Sequence, residues 1–217
     1  MNRSEHSSPD TCRKLMEAAG VVFTEKGFRK ATVHEICRRA GANVAAVNYH
    51  FGGKKNLYRA VIRHWFSASV DTYPPTLGLR DHPTPRQQLH AYIRSFLFRL
   101  LVKEHPASFG KLMAWELIDP TGLIDKLIRE SIVPLSERLF AIIQELIGPG
   151  VDAAVIGRCC ASITGQCMFY RHARPMIKII NPSLAFEPRD IEILADHIYE
   201  FSLGAVLRFK RKRGKSS

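Results

Sequence analysis

Two sets of side chains in this sequence could do chemistry. The first lies between Thr32 and Lys54, in TVHEICRRAGANVAAVNYHFGGK. It offers the hydroxyl of Thr32, the amides of Asn43 and Asn48, the rings of Tyr49 and His50 and the cation of Lys54, around the small apolar Val44, Ala45 and Ala46. Their chemistry is recognition of a nucleic acid. An asparagine can read an adenine edge in bidentate fashion, and alanine methyls can meet thymine. Tyrosine, histidine, lysine and a threonine at a helix N-terminus hold phosphate oxygens. The second set is Cys159, Cys160, Cys167 and His172. Thiols and an imidazole suit a metal or redox sensor, or catalysis with a cysteine as nucleophile and His172 as base. No third orienting group and no glycine-rich nucleophile turn accompany them, and their spacing matches no strong zinc pattern. No catalytic residue, metal site or cofactor is assigned, and the chain is not expected to be an enzyme.

The first set needs two short helices held at a tight turn. Thr32-Val33-His34-Glu35 predicts a capping box, in which Thr32 and Glu35 satisfy each other's backbone donors and start a helix at Val33. Cys37 and Ala40 keep the inner face small, and Ile36 anchors the other side. Gly41 sits where the backbone turns, with positive φ. Asn43 caps the next helix and Val47 plugs the shared core. Val44, Ala45, Ala46, Asn48, Tyr49 and His50 are left on or near the exposed face, poor in charge and able to lie close to bases.

The charge supports this reading once it is located. Residues 1–66 carry 12 Lys and Arg against 5 Asp and Glu, residues 67–207 carry 14 against 15, and residues 208–217 carry 6 with no acid. A basic head suits a polyanion, because neutralised phosphates release counterions. The neutral body must do something else. The basic run from Arg208 to Lys215 is read as a solvated tail. Five cysteines, an odd number, fit a reducing compartment. No uncharged apolar run approaches the ~18 residues that span a membrane, and the first ten residues lack the apolar core of a secretory signal. The expectation is cytoplasmic residence with no membrane partner.

Helical spacing dominates the rest, and the fold class expected is all-α. Ser8 and Pro9 open a first helix, with Leu15, Ala18, Ala19, Val22 and Phe23 as its apolar stripe and Gly27 as its stop. A connecting helix over 54–70 turns Leu57, Val61, Ile62 and Trp65 inward. Four prolines and Gly78 mark a hinge at 71–85. Helices follow near 85–103, 106–118, 120–147 (kinked at Pro134), 152–172 and 188–209, with a loop over 173–187.

Ala31–Leu57 resembles the DNA-binding head of the TetR family of bacterial transcriptional regulators. The residues that carry the likeness are Thr32, Ile36, Ala40-Gly41, His50-Phe51, Lys54 and Leu57, preceded by Phe23 and Gly27-Phe28. The likeness covers residues 8–66. It departs from the family at Ala45, where glycine is frequent, and at Asn48, where tyrosine is usual; the tyrosine's phosphate contact passes to Tyr49. The resemblance implies a helix-turn-helix domain over 1–53, with the connecting helix 54–70, and a ligand-binding and dimerisation domain over 71–217. It implies a homodimer, a double-stranded operator and a small-molecule effector, making the chain a ligand-responsive regulator of the repressor type. The helices near 152–172, with small residues such as Gly157, Ala161 and Gly165, and 188–209 are the candidates for the dimer interface. Phe96, Met113, Trp115, Cys167, Tyr170 and His172 mix apolar surface with polar groups and are the expected lining of a site for a lipophilic effector. Asn-Tyr-His-Phe in the head and the segment around Cys167 are similar to a subgroup with a distinct C-terminal domain linked to efflux and antibiotic tolerance. A metal- or redox-sensing regulator built on the cysteine set, and a basic DNA-binding protein with no inducer, are the alternatives.

Overall fold

The computed structural model describes residues 9–102 and 109–211. They are helical with no strand among them. Eleven α-helices and one π turn are described: α1 Pro9–Lys30, α2 Val33–Ala40, α3 Val44–Phe51, α4 Lys54–Thr72, α5 Pro85–Leu101, α6 Phe109–Ile118, α7 Asp125–Leu127, the π turn Ile128–Ile132, α8 Val133–Ile147, α9 Ala153–His172, α10 Arg174–Ile180 and α11 Pro188–Arg211. The chain folds as two compact units, one of the described residues up to Ser69 together with 109–127, the other of 70–102 and 128–211. The head unit is thus discontinuous: a segment from beyond the hinge completes it.

The head core is built from the stripes that the apolar spacing predicts. Leu15, Ala19, Val22 and Phe23 of α1 meet Ile36 of α2, Val47 of α3 and Leu57, Val61 and Ile62 of α4, all fully buried. Leu112 of α6 joins them, also fully buried. α1 departs from helical geometry at Gly27, with φ 72° and ψ 173°, so the predicted stop is a break followed by a last turn. The second core brings together Leu89, Ile93 and Leu97 of α5, Leu139, Ile142 and Ile143 of α8, Ile163 and Cys167 of α9 and Ile191, Ala195 and Ile198 of α11.

Prolines account for both the agreements and the departures among the helix boundaries. Pro85 opens α5 behind Thr84, whose hydroxyl and Gln87 form a complete capping box. Pro134 opens α8 directly after the π turn, which takes the place of the expected kink. The helix expected from Pro120 begins only at Asp125. The expected loop over 173–187 contains α10, because Pro175 occupies its first turn, where no N–H is needed, rather than breaking it. The proposed cap Ser8, the start at Pro106 and the tail beyond Arg211 lie outside the described residues.

Candidate functional site

The α2–α3 pair is set by its caps. Thr32, in extended geometry, accepts a hydrogen bond from the Glu35 N–H at 3.2 Å. The reciprocal half of the box is not made: the Glu35 carboxylate goes instead to Lys26 Nζ at 2.7 Å, which holds its pKa below the usual range. Gly41 caps α2 at φ 63°, ψ 33°. A non-glycine residue tolerates that conformation poorly. The buried Cys37 thiol donates to the Asn43 carbonyl at 3.4 Å, tying the end of α2 to the start of α3. Asn43 Oδ1 accepts from the Ala46 N–H at 2.9 Å. Replacing Asn43 by alanine is therefore expected to lower stability by about 1 kcal/mol, whereas aspartate retains the cap. Thermal unfolding of the two variants checks this, and an alanine variant as stable as wild type would remove the cap from the account.

Val47 is fully buried, so α3 presents the opposite side outward. Ala45, Asn48 and Tyr49 are exposed, Tyr49 by 75%, and Val44, Ala46 and His50 are partly covered. Positions 45, 48 and 49 are related as i, i+3 and i+4 and share one face. The Tyr49 ring packs edge-on against His50 at 5.0 Å between centroids. Lys54 does not stand free for phosphate. Its ammonium lies 4.5 Å over the Phe28 ring and donates to the Arg29 carbonyl at 3.4 Å, and burial lowers its pKa. Lys30, Arg38 and Lys55 are exposed and make no ion pair among the described residues; of these, the sequence points only to Lys55, as half of the Lys54-Lys55 pair. Neighbouring cations are neutralised, Arg39 by Glu25 at 2.8 Å and Arg29 by Asp119 at 2.8 Å. Only partner geometry separates the two groups.

Met113 and Trp115, expected beside the effector, belong instead to the head unit. The Trp115 indole N–H donates to the Thr24 carbonyl at 3.0 Å, and its ring covers Gly27 so closely that a Cβ there would stand 3.1 Å from the ring. The adjacent Glu116 is buried and accepts from the Tyr58 hydroxyl at 2.6 Å and from Thr121 Oγ1 at 2.8 Å and Thr121 N–H at 3.0 Å. Tyr58 has its pKa raised well above the ordinary value, by burial first and by Glu116 second. Arg59 adds a bond to the Leu123 carbonyl at 3.1 Å. Residues 109–127 thus clasp α1 and α4.

The remaining effector candidates fall in the second unit. Phe96 is half-buried on α5, Cys167 is fully buried on α9, Tyr170 is half-buried and His172 is exposed. Cys167 and His172 differ too much in burial to act as nucleophile and base. No group of three His, Cys, Asp or Glu side chains placed to hold a metal ion occurs among the described residues. Burial raises the thiols, Cys160 to about 11 and Cys167 to about 12, so neither is a ready thiolate. An open cleft of about 560 Å³ is lined by residues of 77–94 and by Tyr199; on its wall Arg94 pairs with Glu192 at 2.6 Å and His90 with Asp196 at 2.7 Å.

A capped two-helix reader and a separate helical body define a helix-turn-helix regulator, and comparison with known proteins gives the same class. Residues 15–61 match the family of bacterial regulatory proteins of the tetR type. Residues 85–206, more than half of the chain, match the C-terminal domain of the HTH-type transcriptional dual regulator CecR. The chain belongs to the TetR family and carries a C-terminal domain of the CecR type. Among characterised relatives it is 24% identical to the dual regulator CecR of Shigella flexneri over 84% of this chain and 85% of that one. It is 26% identical to the transcriptional repressor NicS of Pseudomonas putida over 84% of each. The fold is shared with a TetR-like transcriptional regulator of Rhodococcus sp. RHA1, at a TM-score of 0.66 and 16% identity over 89% of this chain and 96% of that one. No described helix is long and apolar enough to cross a membrane.

Proposed function

We propose that this chain is a homodimeric, ligand-responsive repressor that reads a two-fold symmetric operator with α3 and leaves it when a small lipophilic molecule binds the second unit. Residues 1–53 with the connecting helix supply the reader, and 71–217 supply effector binding and dimerisation, apart from the 109–127 clasp. The observation that carries this reading is the outer face of α3. Ala45, Asn48 and the 75% exposed Tyr49 project from a helix capped at both ends, with Lys30, Arg38 and Lys55 available for phosphates.

Two exposed stripes support the dimer. Gly157, Ala161, Gly165 and Phe169 run along α9 at intervals of four, as do Ile193, His197 and Phe201 along α11. Gln166 Nε2 donates to Ser202 Oγ at 3.2 Å, bringing these stripes side by side. Nothing lies within 4 Å of a Cβ placed on Gly157 or Gly165, so a second helix can approach closely. A two-fold dimer presents two readers to a palindrome.

The test is selection of duplexes from a random pool by the full chain. A two-fold symmetric consensus is expected, and Phe201→Glu is expected to sediment as a monomer and to select none. Enrichment of no sequence above the input would sink the reader. A Phe201→Glu protein that stays dimeric would sink the interface. Because CecR is described as a dual regulator and NicS as a repressor, a reporter driven by the selected site fixes the sign of control.

A further inference from the structure

The second unit holds two arginines with buried, unpartnered N–H groups and no ion pair among the described residues. Arg99, near the end of α5, is 9% exposed. Its Nε donates to the Ser95 carbonyl at 3.3 Å and its guanidinium lies 5.5 Å from the Phe96 ring centroid, but its Nη2 is buried without a hydrogen-bond partner. Arg138 of α8 likewise has a buried Nε with none. Neither makes an ion pair among the described residues. Both act on the same phenol. The hydroxyl of Tyr92, pushed up to about 12 by burial, is drawn down by Arg99 and Arg138 and raised by Cys160 and Cys167. Tyr92 and Arg99, seven residues apart, share one face of α5, and Tyr92 belongs to the same buried cluster as Cys167 of α9. Among the described residues, no carboxylate acts on Arg99.

Such an arrangement is unfavourable as it stands. A buried guanidinium N–H without an acceptor forgoes a hydrogen bond that water would otherwise make, at a cost of about 1–3 kcal/mol. Arg174 has a structural use, since its Nη1 donates to the Leu101 carbonyl at 3.1 Å at the C-terminus of α5. Arg99 Nη2 and Arg138 Nε have no such use. What would satisfy them is an oxyanion, which guanidinium groups bind through parallel, charge-assisted hydrogen bonds. Phe96, which lies between Tyr92 and Arg99 along α5, is partly buried against the core and offers apolar surface.

We infer that the effector is an amphiphilic anion, its acidic group held by Arg99 and Arg138 beside the Tyr92 hydroxyl and its apolar part placed against Phe96. This rests on the effector reading above and names its chemistry, which a merely lipophilic molecule would not share. A carboxylate and a phosphate monoester share the anionic oxygens that a guanidinium binds.

The test uses the full chain on its selected duplex with matched probes: octanoate against octanamide, 2-naphthoate against 2-naphthamide, and octyl phosphate against octan-1-ol. At least one anion is expected to raise the unfolding temperature and release the duplex while its neutral partner does not, and the carboxylate and phosphate arms separate the two head groups. Arg99→Gln is expected to weaken that anion at least about 10-fold, the effect of removing one charge-assisted hydrogen bond; Arg138→Gln repeats the measurement should the first variant not fold. Neutral partners that act as well as the anions, or an Arg99→Gln protein that binds an anion like wild type, would overturn the inference while leaving the effector reading intact. Release by no probe, nor by a wider panel of neutral compounds, would overturn both.

Discussion

Replacing Glu116 by alanine is expected to cost about 3 kcal/mol and to lower the unfolding temperature by ~6–12 °C. The carboxylate is 6% exposed and satisfies three donors at once: the Tyr58 hydroxyl at 2.6 Å, Thr121 Oγ1 at 2.8 Å and the Thr121 N–H at 3.0 Å. Truncation leaves all three without an acceptor, and Tyr58, 1% exposed, has no water to turn to. An unmade buried hydrogen bond costs more than a made one contributes, which is why the truncation outweighs the subtler changes. Glu116→Gln keeps an acceptor for Tyr58 and is expected to lose about 1 kcal/mol. Tyr58→Phe removes one donor and leaves the other two in place. Combining Tyr58→Phe with Glu116→Ala should therefore be less damaging than the sum of the two, since the hydroxyl that Glu116→Ala strands is no longer there. Calorimetry on the four proteins decides the matter. A Glu116→Ala protein melting within about 2 °C of wild type would mean that the clasp is held by Trp115 over Gly27 and by Arg29 to Asp119, not by the carboxylate.

The same region shows where the sequence stops being legible. The caps Thr32, Gly41 and Asn43 could be read because a cap concerns residues three or four apart, and residue type nearly settles the geometry. The small inner positions and the buried Val47 follow from helical periodicity in the same way. Tyr58 and Glu116 are 58 positions apart, and nothing local marks either as the other's partner. Read locally, Trp115 beside Glu116 looks like a pocket wall; in the fold it is a seal over Gly27. Arg38 and Arg39 are identical in type, yet Arg39 is neutralised by an acid on the neighbouring helix, while Arg38 makes no ion pair among the described residues. Arg99 is the sharpest case. The middle of the chain is electrically balanced in sum, 14 cations against 15 acids, and that balance conceals a guanidinium with a buried N–H that no acceptor satisfies. Composition reports charge, while function depends on which charges meet.

Asn48→Ala and Tyr49→Ala are each expected to weaken binding to the selected operator by at least about 30-fold without changing the unfolding temperature. Each interaction of this kind contributes about 1–3 kcal/mol, and a two-fold operator forgoes it in both half-sites. Stability should hold because both side chains are exposed, Tyr49 by 75%, and alanine is the better helix former. The two effects differ in kind. Asn48 is placed to read a base edge, so its removal should relax the preference at one base pair of each half-site while leaving binding to other sequences almost as it was. Tyr49 is placed to hold a phosphate, so its removal should weaken selected and random duplexes alike and leave the consensus unchanged. Neither carries charge, and the dependence on salt should stay as in wild type. Lys55→Ala should instead flatten that dependence by about one unit of slope for each phosphate that the lysine no longer neutralises. Titrations of the three variants against the consensus, a one-base variant of it and a random duplex, at two salt concentrations, separate these outcomes. If Asn48→Ala keeps the full preference at every position, the base-reading role passes from Asn48 to another part of the α3 face. If Tyr49→Ala loses preference as well as affinity, the tyrosine has taken the role of reader. That outcome would account for the departure at position 48, where the family usually places a tyrosine: with asparagine there, Tyr49 would supply the aromatic contact from the next position along the helix.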